Sequence, residues 1–188
     1  APAARVLKAA TNSAEVLIVV SLGTKFQEVD QWAGFYKVIL ADQTTGWISQ
    51  KQVARIDEIE GPGSKRRKII SEAMFFVGKP YLWGGRSIFS VDCSGMVNLI
   101  YRASGVDIPR DAHEQWMMSR QVTFKELQPG DLIFLSKKDD FGTIGHVMLF
   151  LGNDAFIEAP GTGKTVRVGH LKDYEGSGKK MYFGRILK

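Results

Sequence analysis

The first sixty positions are built from short apolar runs broken by turn residues. Val16 to Val20, Lys25 to Val29, Tyr36 to Leu40 and Trp47 to Ile48 read as strands separated by Gly, Asp, Gln and Thr. The stretch Ala41-Asp42-Gln43-Thr44-Thr45-Gly46-Trp47 reads as a hairpin that closes two of them. Short strands at this spacing predict a small all-β barrel over residues 1–58. Within it Trp32, Phe35 and Tyr36 are assigned mostly to the core. Glu60-Gly61-Pro62-Gly63-Ser64 offers turn residues and no regular element, so 59–64 reads as a linker.

Beyond it the apolar period changes. Ser64 reads as an N-cap, and Ile69, Ile70, Ala73, Met74 and Val77 follow as one helical stripe that Gly78 and Pro80 end. A second helix is predicted from Cys93 to Ser104, with Cys93, Met96, Val97, Ile100 and Tyr101 on one face and Gly105 as its stop. A third covers Ala112 to Ser119. From Asp131 the strand pattern returns at Leu132–Leu135, His146–Leu151, Ala155–Glu158, Val166–Val168 and Tyr182–Ile186, with Lys137 to Asp140 as a mobile polar loop. Helices followed by an antiparallel sheet predict an α+β domain over 65–188.

Composition narrows the function. The chain has 188 residues, 44% of them hydrophobic and 24% charged, values of a globular protein and too apolar for a disordered chain. No apolar run approaches the roughly twenty residues of a membrane-spanning helix. Residues 1–4 have no signal-like apolar core, which leaves an internal protein or one whose signal precedes this numbering. The net charge of +5 falls in the second part, where Lys65-Arg66-Arg67-Lys68 carries most of it. A four-residue run without interleaved aromatics reads as a solvated helix face, and no nucleic-acid partner is expected. One cysteine and three histidines exclude a disulfide framework and a multi-cysteine metal site, so no metal or cofactor is expected.

Cys93 stands at the start of the second helix, where partial positive charge and free N–H groups favour thiolate. It reads either as a reactive thiol or as a buried structural one. His146 follows Gly145 at the predicted opening of a strand, where an imidazole can activate a thiol or simply be a packed histidine. The strand turns at Gly152-Asn153-Asp154 and returns with Glu158 near the level of His146. A carboxylate there can orient the imidazole, or it is a half-exposed strand residue. His113 is placed at the rim of a pocket or on the surface, and His170 as structural or merely exposed.

Several segments together resemble the NlpC/p60-type cysteine peptidases of bacterial cell walls. They are Gly78-Lys79-Pro80-Tyr81-Leu82-Trp83-Gly84-Gly85, Asp92-Cys93-Ser94-Gly95, Leu127-Gln128-Pro129-Gly130-Asp131-Leu132 and Gly145-His146-Val147, in this order. Gly34-Phe35-Tyr36-Lys37-Val38 with Gly46-Trp47-Ile48 resembles the closing hairpin of a bacterial SH3-like domain. The resemblance implies a papain-like catalytic domain that cuts peptidoglycan stem peptides, typically at the γ-D-glutamyl to diamino-acid bond. Cys93 is then nucleophile, His146 general base and Tyr81 a residue lining the site. Asp92 and Ser94 beside the cysteine join the candidate substrate-binding residues. Pro109-Arg110-Asp111 matches a stretch in which an Asp helps to bind a free N-terminus. Asp111 would pair with that ammonium, while Arg110 either takes a substrate carboxylate or forms a structural salt bridge. The departure from the family pattern is Glu158, where a His, Asn or Gln is usual, and we assign it as the third catalytic residue.

The expected protein is a monomeric, cofactor-free cysteine peptidase with peptidoglycan or a muropeptide as substrate. Its SH3-like part would hold the wall polymer or close one end of the cleft. A wall substrate implies the periplasm or the exterior, and recycling of released peptides would place it in the cytoplasm. The alternatives are an amidase or acyltransferase on the same fold, and a non-catalytic wall-binding protein.

Overall fold

Val6 and Ile48 face each other across the middle of a five-stranded antiparallel sheet that forms the first compact unit, which runs up to Glu58. The computed structural model describes residues 2–137 and 140–188. The sheet's strands are β1 (Ala3–Leu7), β2 (Val16–Ser21), β3 (Glu28–Trp32), β4 (Phe35–Ile39) and β5 (Thr45–Ser49), in the order β2-β1-β5-β4-β3. Ala4, Val6, Val38 and Ile48 make its core. The sequence pattern shows no β1, because its two alanines are weak strand formers and the ladder to β2 supplies what propensity does not. β3 lies three residues beyond its predicted place. A two-residue turn, Ala33-Gly34, with positive φ at both positions pairs Trp32 with Phe35 and sets the register. Phe35 is buried, but Trp32 is 71% exposed and leaves the predicted core.

The second unit begins at Ile59. Helix α1 spans Gly61–Met74, so the residues read as a linker include its first turn. Pro62 suits that turn, since its missing N–H would have had no intrahelical partner. Glu60, and not Ser64, is the N-cap. The helix buries Ile69, Glu72 and Ala73, Phe76 is buried just beyond its end, and Met74 and Val77 are exposed. Lys68 donates to Glu72 at 2.7 Å and allows that carboxylate to be buried. After Met74 the chain continues as turns to Gly78.

Helix α2 (Cys93–Ala103) is buried along nearly its whole length, and α3 (Ala112–Met118) follows it. The second sheet has β6 (Arg120–Val122), β7 (Leu132–Lys137), β8 (Asp140–Gly152), β9 (Ala155–Glu158), β10 (Arg167–His170) and β11 (Met181–Arg185), in the order β10-β9-β8-β7-β11-β6. All of its pairs are antiparallel, and α2 and α3 pack on β8. The architecture is the expected α+β arrangement. Residues 138 and 139 of the predicted polar loop lie outside the described residues, and its ends, Lys137 and Asp140, are paired strand residues.

The segment Leu127–Leu132 is structural. Asp131 is buried and accepts from Arg66 at 3.0 Å and from Arg185 at 2.7 Å. Its backbone and carboxylate also close a turn onto Gln128. Tyr101 of α2 donates to Gly130 O. These contacts tie α1, α2 and β11 to the turn that leads into β7.

Candidate active site

Asp92 fixes the start of α2. Its Oδ1 accepts the Gly95 N–H at 2.7 Å, the bond that defines an N-cap. Its Oδ2 accepts the Gly84 N–H at 2.9 Å and Arg110 Nη2 at 2.5 Å. Arg110 also donates to Ser94 Oγ at 2.9 Å. Gln115 of α3 donates to Ser94 O at 3.0 Å and Pro109 O at 2.9 Å. One buried polar network thus locks both neighbours of Cys93. A Cβ at Gly95 would collide with the carbonyl oxygen of Gly85, so this packing requires glycine.

His146 reaches Cys93 through a bulge. β7 and β8 pair Leu135 with His146 and Ser136 with Ile144, which leaves Gly145 as the extra residue. His146 therefore lies inside β8 and not at its opening, because pairing with β7 continues past the bulge to Asp140. His113, half-buried on α3, accepts the Ile144 N–H at its Nδ1 at 3.2 Å and pins the strand just before the bulge. It is therefore bonded and half-buried, not a bare surface residue.

Glu158 returns on β9, where Leu149 pairs with Ile157. Alternation puts Glu158 on the same face as His146 and Met148, diagonal to the imidazole. Its Oε2 lies 2.7 Å from His146 Nε2, and the carboxylate has no solvent exposure. An ionised carboxylate only accepts, so Nε2 carries the proton and Nδ1 is left for Cys93. The same Oε2 accepts the Tyr174 hydroxyl at 2.5 Å, and Oε1 accepts from Arg167 Nε at 2.9 Å, with Nη2 of that guanidinium 2.8 Å away as an ion pair.

The electrostatics follow this geometry. Burial raises the half-buried Cys93 thiol, but the hydrogen bond and charge of His146, with the Val147 N–H, outweigh it, and the pKa falls below that of an ordinary thiol. Burial disfavours the imidazolium of His146 too. Its bonds to Cys93 and Glu158 overcome this and push its pKa up to about 9. Glu158 is held below the usual carboxylate range, as His146, Tyr174 and Arg167 outweigh its burial. The arrangement favours a thiolate–imidazolium pair. Burial, then the charges of Cys93 and Asp92, raise the Tyr81 phenol, which stays protonated as a donor beside the thiol.

Cys93, His146, Glu158 and Tyr81 thus share one site, with Asp92, Ser94 and Arg110 behind the cysteine. Asp111 is the exposed N-cap of α3 and makes no side-chain bond to that helix. Arg167, Tyr174 and Gln115 escaped sequence reading, since a contact between residues nine to twenty-one positions apart leaves no periodic signal. Among the described residues, no group of three or more His, Cys, Asp and Glu side chains is placed to hold a metal ion. No helix among them is long and apolar enough to cross a membrane.

Comparison with known proteins places the geometry in a family. The NlpC/P60 family model matches residues 78–184, and the bacterial SH3 domain model matches residues 2–54. A γ-D-glutamyl-L-lysine dipeptidyl-peptidase of Bacillus subtilis is 41% identical over 159 residues, covering 84% of this chain and 52% of its own. An NlpC/P60 family protein from Bacillus cereus superposes with a TM-score of 0.85 at 27% identity, over 100% of this chain and 61% of its own. The peptidoglycan hydrolase RipB from Mycobacterium tuberculosis does so with a TM-score of 0.58 at 28% identity, over 73% and 70%. The chain spans about half the length of the curated relatives that it matches first.

Proposed function

Because the chain belongs to the NlpC/P60 family, we propose that it is a cysteine peptidase that hydrolyses the γ-D-glutamyl to diamino-acid bond of peptidoglycan stem peptides. The observation that carries this reading is the buried line Cys93–His146–Glu158 at the N-terminus of α2. The Bacillus subtilis relative's name supplies the bond, with L-lysine as its diamino acid.

In this reading the Cys93 thiolate attacks the γ-carbonyl carbon and forms an Sγ–C bond. Negative charge moves to the carbonyl oxygen, where the Cys93 N–H and the Tyr81 hydroxyl are the available donors. The tetrahedral intermediate collapses as the C–N bond breaks, and His146 gives its Nδ1 proton to the departing amine. Water then loses a proton to His146, attacks the thioester and releases the free γ-carboxyl group and the thiol. Glu158 keeps the imidazole oriented and stabilises its charged form throughout.

Asp111 is the proposed partner of a substrate ammonium, which favours short peptides with a free N-terminal L-Ala. Arg110 is already bonded to Asp92 and Ser94, so we assign all three to holding the cysteine turn and leave Tyr81 and Asp111 as the substrate contacts. The three catalytic groups come from one chain, in keeping with a working monomer. We place its action in the cell envelope, periplasmic or secreted.

The test is release of the diamino acid from L-Ala-γ-D-Glu-L-Lys and from the diaminopimelate analogue, with Cys93→Ala as control. Turnover by the wild type that the substitution abolishes supports the proposal. No turnover of either peptide overturns the substrate assignment.

A further inference from the structure

We propose that Arg167 and Tyr174 are positioning residues for the Cys93–His146 pair, acting through Glu158 to keep a buried carboxylate ionised and aimed at the imidazole. The inference rests on the cysteine-peptidase reading above and adds two residues to it.

A neutral orienter such as Gln needs no counter-charge. A carboxylate with no solvent exposure does, because leaving water costs an ion several kcal/mol. The fold supplies that charge by register. Arg167 on β10 is the direct cross-strand partner of Glu158 on β9, so both side chains leave the sheet on one face. Arg167 Nε donates to Glu158 Oε1 at 2.9 Å, and Nη2 of the same guanidinium lies 2.8 Å from that oxygen as an ion pair. The phenol of Tyr174 takes a position on Oε2 beside the bond from His146. Three donors and the guanidinium charge therefore hold one carboxylate that has no solvent exposure.

Tyr174 is itself held. Its ring packs on Phe156 at 5.8 Å between centroids and against His146 at 6.4 Å. The groups around Glu158 are His146 from β8, Arg167 from β10, and Tyr174 with Asp173 from the turn Leu171–Tyr174. Asp173 lies 3.9 Å from Arg167 Nη1 and touches Glu158 only through it. Beyond the imidazole are Cys93 and, behind it, Asp92 and Tyr81. Arg167 is thus the cation on the far side of Glu158 from the reacting pair. Without it Glu158 protonates more readily. A protonated Glu158 donates to Nε2 where it should accept, so the imidazolium loses its support and the thiolate loses the imidazolium.

The experiment measures the rate of Cys93 alkylation by iodoacetamide against pH, in the full chain. It reads thiolate directly and needs no peptide. In the wild type the acid limb lies below that of an ordinary thiol. Arg167→Ala moves that limb up by about one pH unit, the size of effect expected for losing a close opposite charge. Tyr174→Phe moves it the same way by less, and Arg167→Lys, which keeps the charge, restores most of the shift. Glu158→Gln raises the limb too, and adding Arg167→Ala to it brings no further change.

An unmoved acid limb in Arg167→Ala and Tyr174→Phe, with the wild-type limb depressed, makes both residues merely structural and overturns the inference alone. An additive shift in the Arg167→Ala, Glu158→Gln double variant overturns it as well. An ordinary thiol profile in the wild type overturns the cysteine-peptidase reading and this inference with it. Should Arg167→Ala fail to fold, Arg167→Gln, which removes the charge and keeps much of the side chain, carries the same comparison with Tyr174→Phe.

Discussion

His146 Nε2 and Glu158 Oε2 lie 2.7 Å apart, and the carboxylate is sealed from solvent. This pair makes stability depend on pH in two directions. The imidazole is raised above its unfolded value, so its contribution is complete below pH 6.5 and is lost as pH rises toward about 9. The carboxyl is lowered, so its contribution is present above its ordinary 4.5 and is lost as pH falls through the folded-state value. Melting temperatures of wild type and Glu158→Gln should differ most between these limits and converge on both sides. A difference that is constant across pH would rule out the ion pair as its source.

Asp111 stands exposed at the N-cap of α3, without a bond to that helix. Asp111→Ala should raise KM several-fold for peptides with a free N-terminal amine and leave kcat nearly unchanged. Steady-state kinetics on free and N-acetylated peptides decide the matter. An equal effect on both removes Asp111 from ammonium recognition.

Gly95 packs against the Gly85 carbonyl where no Cβ fits. Gly95→Ala should therefore cost about 1–3 kcal/mol of stability, the usual range for overpacking. It should also slow Cys93 alkylation, because the displaced turn carries the thiol with it. Denaturant titration and the alkylation rate measure the two effects, and a rate equal to that of the wild type would mean that the turn yields without moving the thiol.

Asp131 pairs with Arg66 and Arg185 in a buried cluster apart from the catalytic line. Asp131→Asn leaves two guanidinium groups short of their counter-charge and should cost about 3–5 kcal/mol. While the variant stays folded, its kcat should be close to that of the wild type. A large fall in kcat with little loss of stability would give the segment Leu127–Leu132 a role in catalysis.

Legibility in the sequence follows the range of the interactions. Helix α2 was readable because its apolar spacing and its glycine stop are local, whereas the Asp92 cap emerged only with the structure. Cys93, His146 and Glu158 could be nominated because a hairpin of known polarity brings the last two level. The position of His146 within β8 was not readable, since the bulge at Gly145 and the strand beyond it exist only through pairing with β7. β1 and β6 escaped for the same reason. Glu158 stood out as an acidic residue in an unusual place, but its counter-charge did not. Arg167 and Tyr174 sit in exposed-looking Lys- and Gly-rich sequence, and only the β9–β10 register and the turn after it bring them to the carboxylate.

Cys93 is proposed above as the nucleophile of a hydrolase. The most direct measurement is the mass of the peptide containing Cys93 after acid quench during turnover of L-Ala-γ-D-Glu-L-Lys. An L-Ala-D-Glu acyl adduct is expected on that peptide in the wild type, with no adduct and no hydrolysis in Cys93→Ala. Hydrolysis that persists in Cys93→Ala would contradict it.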